Sequence, residues 1–516
     1  MLVPFFQRNP AMCGASFKPE TPSDEVTESA PEPPSPPGFG ADAKVYRSGL
    51  HEVVAMAAPA IVAMGSATVM QFVDFFMVTK VSKEATAAVS PAGITVFVFI
   101  SFFGGVLSCT NTFVSQSFAK RKFADCARYT WQGIWIGVMG GSFIVLLWPL
   151  APVLFAALGH GEDVVPLETV YFQWRLLSVP SMAVVMTLSG FFQGISRPRV
   201  NMVSAVAANA LNVFLNWLLI FGNWGFPELG IAGAAIATSA AAAVHALLLL
   251  SVFVFGTPGI RFHSRTEWRW DAGRAAQLFR IGWPAGLNWT LDVACWGVFT
   301  NLIVGRLGDG KTPLAASNIA GQIMHLSFMP TMGLRIATTA LVGQYVGRKD
   351  YATARARTRA TLAMGMGYMA VMGVLFFTFR HTLIAWFRPE PEIVRLGSKA
   401  LILAAIFQAF DAMCIIFSGA LKGAGDTRFP AMMSILYGWL VFLPASLLMT
   451  RVIPWGIAGA WGGATLFIIV LGVTLFFRWH RGAWEKIDIF RKTPYEPAQY
   501  TEHPAPYEPG EEISGS

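Results

Sequence analysis

The sequence predicts an all-α polytopic membrane protein, with twelve transmembrane helices in two pseudo-symmetric six-helix bundles. Three observations carry this. Of 516 residues, 54% are hydrophobic and only 13% charged, about half the charge of a soluble domain. Apolar segments near the ~20 residues that cross a bilayer recur along the chain. The chain also repeats itself at one offset. Five cysteines exclude a disulfide scaffold, and 49 glycines and 31 prolines, set largely in apolar stretches, exclude a collagen-like or linker protein.

In chain order, residues 1–47 read as a disordered tail. They are acidic and proline-rich, with five prolines from Pro31 to Pro37, too polar to bury a core. Met1 to Phe6 lack the basic start and apolar length of a secretory signal. Residues 48–255 form a first lobe with spans near 52–79, 85–108, 126–157, 166–192, 199–222 and 229–255. A basic linker loop follows at 256–275. Residues 276–480 form the second lobe, with spans near 276–305, 313–345, 358–385, 395–421, 429–451 and 455–478. A polar tail, 481–516, repeats Tyr-Glu-Pro at Tyr495 and Tyr507.

The net charge of +8 is spread over short loop clusters, not one basic face, which excludes nucleic acid as partner. One set of loops carries Lys120, Arg121, Lys122 and Arg128, then Arg197 and Arg199, then Arg261, Arg265, Arg269 and Arg274. It continues with Arg348, Lys349, Arg355 and Arg357, then Lys422 and Arg428. The other set holds Glu162, Asp163, Glu390 and Glu392. The positive-inside rule places the first set and both termini in the cytoplasm.

The repeat is legible in four matches. Gly230-Ile-Ala-Gly-Ala234 recurs as Gly456-Ile-Ala-Gly-Ala460. Ser189-Gly-Phe-Phe-Gln-Gly194 matches Ser418-Gly-Ala-Leu-Lys-Gly423, and Ala87 to Gly93 matches Ala315 to Gly321. Gln116 with its basic followers matches Gln344. All offsets lie between 226 and 229. Six spans per unit send both copies into the membrane in the same direction, so the bundles are related by an axis along the membrane normal.

Charges inside the bilayer are costly, about 2.5–3.5 kcal/mol each on insertion scales, and each asks for a reason. Asp74 lies about 33 Å along a helix from Glu52, in the outer half of the first bundle. Asp292, about 18 Å past Arg280, and Asp411, about 16 Å before Lys422, lie near the midplane of the second. Arg335 is also at mid-depth, and so can neutralise Asp292 or Asp411 as a structural ion pair. Arg175, near the outer end of its span, can snorkel. The functional reading is that carboxylates facing a cavity bind a cation or proton and hold a cationic substrate. Asn212 and Asn216, four apart, share one helix face. With Thr238 and Ser239 they supply the oxygens that suit a Na+ at Asp74. Interhelical hydrogen bonding is the bland reading for these amides, and the favoured one for Asn209.

Several motifs point nowhere. Gly305-Arg-Leu-Gly-Asp-Gly310-Lys311-Thr312 fits a phosphate loop, but a membrane span precedes it and Pro313 follows. His245 and His325 are isolated, no metal-ligand spacing occurs, and Cys109, Cys295 and Cys414 read as small core residues. No nucleophile–base cluster supports an enzyme. Trp148, Trp224, Trp386, Trp455 and Trp479 fall near span ends, as interfacial belts do. Trp289 and Trp296 lie deep in the seventh span, where they pack or stack on flat cations.

Taken together, Gln71-Phe-Val-Asp74-Phe-Phe-Met-Val, Phe192-Gln-Gly-Ile-Ser-Arg-Pro, Asn212-Val-Phe-Leu-Asn216-Trp, Gly230 to Thr238 and Phe407-Gln-Ala-Phe-Asp411 resemble the multidrug and toxic compound extrusion (MATE) family. The likeness covers about residues 50–480. It implies two six-helix lobes and export of organic cations and drugs against inward Na+ or H+. Asp74 matches the family's cation-binding aspartate, Asn212 and Asn216 its polar pair on the fifth helix, and Thr238 a ligand on the sixth. Some archaeal relatives carry an aspartate where Asn216 stands. Asp292 stands where the NorM-like branch has a glutamate, and Asp411 matches that branch's acid on the tenth helix. Having both favours the NorM-like branch.

The expectation is therefore a cation-coupled antiporter that exports cationic or amphipathic xenobiotics by alternating access. It needs no cofactor and no metal beyond a Na+ at Asp74. Its setting is a bacterial inner membrane, its form a monomer. A lipid-linked oligosaccharide flippase is the alternative, but its cavity should be strongly cationic. A membrane-embedded enzyme and a non-transporting scaffold rank below both.

Overall fold

The computed structural model describes residues 39–157, 163–256, 260–308, 311–453 and 455–490, and every regular element among them is helical. Residues 46–516 make one unit. Of 1–45, only the helical stretch from Phe39 is described. Residues 39–47, expected to be part of a disordered tail, instead form the first turns of a helix, because the proline-rich run ends at Pro37 and helix formers such as Ala41, Ala43 and Lys44 follow. The rest of that tail, Glu162, and part of the phosphate-loop look-alike lie outside the described residues.

The first lobe runs α1 (Phe39–Thr79), α2 (Lys83–Leu107), α3 (Thr110–Ala119), α4 (Phe123–Val145), α5 (Ala151–Ala157), α6 (Val165–Leu176), α7 (Ser178–Gly194), α8 (Pro198–Phe221) and α9 (Gly230–Phe255). The second runs α10 (Ala272–Val298), α11 (Lys311–Gly347), α12 (Tyr351–Phe387), α13 (Pro391–Gly423), α14 (Arg428–Tyr437), α15 (Leu443–Arg451) and α16 (Gly456–His480). α2 with α3, α4 with α5, α6 with α7, and α14 with α15 each make one span, which gives twelve. Nine described helices pass a length-and-hydropathy test for crossing a membrane, and the pair α6–α7, bent by 44°, makes a tenth. The remaining two, α10 and α11, are long enough at 27 and 37 residues. They are more polar, with Arg274, Arg280 and Asp292 on one and His325 and Arg335 on the other. A span that faces another lobe across a cleft need not be oily all round.

Without a hydrophobic drive between helices in lipid, close packing depends on small residues. The repeat shows this twice. A Cβ on Gly233 would stand 2.5 Å from the Leu219 carbonyl oxygen, and one on Gly459 would stand 2.4 Å from that of Met449. α9 thus rides against α8, and α16 against α15, at the same place in each copy.

The lobes are tied at the end that carries the basic loops. Gln116 Nε2 donates to Gly423 O at 3.0 Å, and Gln344 Nε2 donates to Gly194 O at 2.8 Å. These are the two copies of one repeat position, each reaching into the other lobe. Thr112 Oγ1 donates to Lys422 O (3.0 Å), Lys422 Nζ donates to Ser108 Oγ, and Glu52 pairs with Arg357 (2.6 Å) and Tyr345 (2.9 Å). Nearer mid-depth, α2 meets α10 backbone to backbone. A Cβ on Gly105 would lie 2.4 Å from Ala285 O, and Ser101 Oγ sits 3.1 Å from Thr290 Oγ1.

The folded chain does not stop at 480. Trp484 stacks on Trp479 with centroids 4.2 Å apart, and Ile489 is buried with Cys109, Phe113, Tyr129 and Leu278. The apolar residues Trp484, Ile487, Ile489 and Phe490 explain why this stretch packs where a polar tail was expected.

Candidate functional site

Asp74 sits on α1, facing inward to α8 and α9. The 3.6-residue period puts Asn212 and Asn216 on one face of α8, and both are fully buried. Asn216 Nδ2 donates to Asp74 Oδ1. Asn212 stands 3.1 Å from Asn216. With its amide turned so that nitrogen faces the carboxylate, it donates to Asp74 Oδ1 at 2.6 Å and accepts from the Thr238 N–H at 3.3 Å. The Thr238 side chain reaches the same carboxylate, and its hydroxyl is held by Ala234 O at 2.9 Å. The sequence-predicted quartet Asp74, Asn212, Asn216 and Thr238 is thus brought together.

Two neighbours fall outside it. Ser239 donates to Trp174 O at 2.8 Å, and Asn209 to Ser66 Oγ at 2.7 Å. Asn209 therefore makes the interhelical bond its bland reading expected, and Ser239 is no part of the site.

The quartet can hold a hard cation. Asn216 Oδ1 is buried with no hydrogen-bond partner among the described residues, an acceptor beside the carboxylate that its own Nδ2 engages. Carboxylate, amide and hydroxyl oxygens are the donor set such an ion prefers. Asp74 enters no ion pair within 4 Å among the described residues. The opposing charge that acts on it is Arg175 on α6, whose field Tyr171, one turn earlier, also feels. Arg175 was expected to snorkel outward. Instead its Nε and Nη1 are buried without partners. Sequence reading passed over Tyr171, and over Arg175 as a neighbour of Asp74. The signal was their four-residue spacing inside an apolar span, which puts both on one helix face.

In the second lobe, α10 carries Asp292 and α13 carries Asp411. Asp292 is exposed and Asp411 half-buried. The two are close enough to repel, and neither has a hydrogen bond or ion pair among the described residues. The expected pairing with Arg335 does not occur. Arg335 on α11 is coupled instead to Lys422 on α13, a second cation, because α11 turns it toward Gly419 on α13. Trp296 is held in an aromatic cluster with Phe442 (5.0 Å), Phe299 (5.5 Å) and Trp461 (6.3 Å). Trp289 lies over Gly104 of the first lobe, where any larger residue would meet its ring.

Two helical lobes tied at one end, with a carboxylate inside the first bundle and two more on spans of the second, define a multi-pass membrane transporter. The comparisons with known proteins sharpen this. The MatE family model matches residues 59–218 and 290–446. The probable multidrug resistance protein NorM of Mesorhizobium japonicum is 26% identical over 453 residues, 86% of this chain and 96% of that protein. Its Pseudomonas syringae pv. tomato counterpart is 29% identical over 439 residues, 83% and 94% of the two chains. The crystal structure of the eukaryotic MATE transporter AtDTX14 superposes with a TM-score of 0.78 at 20% identity, covering 86% of this chain and 98% of that one. A mutant of the Vibrio cholerae MATE transporter VcmN gives 0.78 at 19%, covering 87% and 99%. This chain belongs to the MatE family, in its NorM-like branch. It is a transporter with the twelve-helix MATE fold, not an enzyme.

Proposed function

We propose that the chain exports organic cations and other amphipathic xenobiotics across the plasma membrane, in exchange for inward Na+ or H+. One observation carries this reading. A carboxylate inside the first bundle is cradled by two amides and a threonine, in a set that includes an unsatisfied amide oxygen, and among the described residues no ion pair neutralises it. Keeping such a group in an apolar bundle is costly unless ion exchange is its use. The basic loops put the tied end in the cytoplasm, so the shape described is outward-facing, with both termini inside a bacterial inner membrane.

An external cation reaches Asp74 and, in the second lobe, Asp292 and Asp411. Neutralising these carboxylates weakens their hold on a cationic drug, which leaves outward. The lobes then rock, the inner ties break, and the cation is released inside. Drug and cation must weaken each other's binding by the same factor. An inside-negative potential adds about 2.3 kcal/mol per 100 mV for each charge that moves in.

The test is dye efflux from a pump-deficient host, with NaCl or choline chloride outside and with imposed pH gradients. Asp74→Asn at equal expression should fold but lose cation-driven efflux. Wild-type efflux from that variant removes the reading. A flippase of pyrophosphate-linked lipids has one observation in its favour, the Arg335–Lys422 pair. It predicts instead that anionic lipid, not organic cations, competes for transport.

A further inference from the structure

Arg175 has no task in this scheme, yet its placement is unusual. It lies two residues before Leu177, where α6 and α7 meet at a 44° bend. Two of its nitrogens are buried and unbonded, and it makes no ion pair within 4 Å among the described residues. Glu168, two turns earlier on the same helix, is engaged elsewhere. The acid whose charge opposes it is Asp74, and both charges act on Tyr171 one turn earlier. Buried guanidinium donors left unbonded are costly, so a state in which a nearby carboxylate accepts from them is favoured whenever that carboxylate is free.

We infer that Arg175 is the resident counter-cation of Asp74. When no coupling cation is bound, the guanidinium moves onto the carboxylate, and the arriving cation displaces it. The inference rests on the reading of Asp74 as the exchange site. Arginine stays charged at every physiological pH, so it always competes. It therefore holds the cation's affinity low enough for release, and spares the empty carboxylate from standing alone.

The test is a double-mutant cycle, Asp74→Asn against Arg175→Gln, on thermal unfolding of the purified full chain. It is run in choline chloride at alkaline pH, then with NaCl, then at mildly acidic pH. Without cation, the two single variants should each lower Tm and the double variant should lose less than their sum. That coupling should fade once the coupling cation is supplied. In Arg175→Gln, the cation concentration at half-saturation should fall about tenfold, the lower end of one nearby charge's effect on a carboxylate. Additive losses overturn the inference, as does a coupling unmoved by either cation, which marks a static structural pair. Should Arg175→Gln not fold, Arg175→Met, which keeps an aliphatic stem without the charge, takes its place in the cycle, and additivity there is equally fatal. Failure of the Asp74 reading appears separately, as efflux retained by Asp74→Asn.

A different observation carries a second inference. Residues 481–490 join the lobes at the basic end. Glu485 pairs with Arg355 of α12 at 2.5 Å, and Ile489 O accepts from Gln277 of α10 at 2.5 Å. Phe490 stands edge-on to Phe113 (5.9 Å) and Tyr129 (6.0 Å) of the first lobe, with Lys120 Nζ over its ring at 4.4 Å. We infer that this segment is a strap that holds the basic end shut and lifts when that end opens. Cys109, free and buried beneath it, reports lifting through its rate of maleimide labelling. A Ser115→Cys reporter, at the α3–α11 contact where Gly343 meets Ser115, reports separation of the lobes. Ile489→Ala/Phe490→Ala should speed both severalfold. Faster labelling at Cys109 alone means local unmasking and overturns the inference, as does no change at either.

Discussion

The two lobes share a scaffold but not a site. Counting 228 residues on from Asp74 reaches Leu302, and on from Asn212 and Asn216 reaches Leu440 and Pro444. Counting back from Asp292 and Asp411 reaches Met64 and Ala183. The glycine contacts and the interlobe glutamines recur, whereas the acids do not. The first lobe holds one carboxylate wrapped in amide donors. The second holds two carboxylates that repel each other, with no donors among the described residues, one of them exposed. Helix packing tolerates few substitutions and so keeps the imprint of the repeat. Ionisable groups answer to their ligands and have diverged. The first arrangement suits a small, closely liganded ion. The second suits a larger, loosely held cation, which gives each lobe its part in the proposed exchange.

The largest expected effect follows from that asymmetry. Asp74→Asn should abolish the response of dye efflux to the cation gradient. Asp411→Asn should weaken that response without abolishing it, because Asp74 still exchanges the cation, and should raise KM for a cationic dye about tenfold, the size of one charged hydrogen bond lost. Initial efflux rates against dye concentration, with and without Na+ or a pH gradient, separate the two. If both variants lose cation dependence equally, the lobes are not specialised in this way.

A smaller effect tests what the lobes share. Gln116→Ala and Gln344→Ala each remove a buried amide from a carbonyl of the opposite lobe. Each should cost about 1 kcal/mol in stability, with Gln344→Ala somewhat the larger because its amide also donates to Ser196 Oγ at 2.8 Å. Thermal unfolding measures the loss. A loss twice as large on one side would show that the repeat holds in sequence but not in load.

Much of this was legible in the sequence, for physical reasons. Span positions follow from hydropathy, and the approach of Asn212 and Asn216 to one carboxylate follows from helical periodicity. What lay beyond reach were contacts between elements far apart in the chain. Depth along a helix put Arg335 level with Asp292 and Asp411, but depth carries no azimuth, and the side chain turned toward Lys422. The same blindness sent Arg175 outward to the headgroups when it points inward. The segment after His480 looked like a tail because charges and prolines dilute it. Only the packed structure reveals that Trp484, Ile489 and Phe490 have a pocket waiting.

The smallest expected effect concerns the tie between lobes outside the membrane. Asp271 caps α10, accepting from the Arg274 N–H at 3.0 Å and pairing with its guanidinium, while Arg274 also reaches Asp125 of the first lobe at 3.2 Å. Burial pulls the Asp271 carboxyl upward, but the Arg274 N–H and guanidinium outweigh it and hold it below the usual carboxylate range. A carboxyl lowered by folding binds its proton more weakly folded than unfolded. Its contribution is therefore complete above the unfolded value of about 3.9 and is lost as pH falls through the folded one. Solvent screens this half-exposed pair, so the contribution is about 0.5 kcal/mol. The Tm difference between wild type and Asp271→Asn should be constant from neutral pH to about pH 5 and should close below pH 4. A difference that instead widened on acidification would mean that Asp271 is strained rather than stabilised by its partners, and that the cap contributes nothing to holding the lobes together.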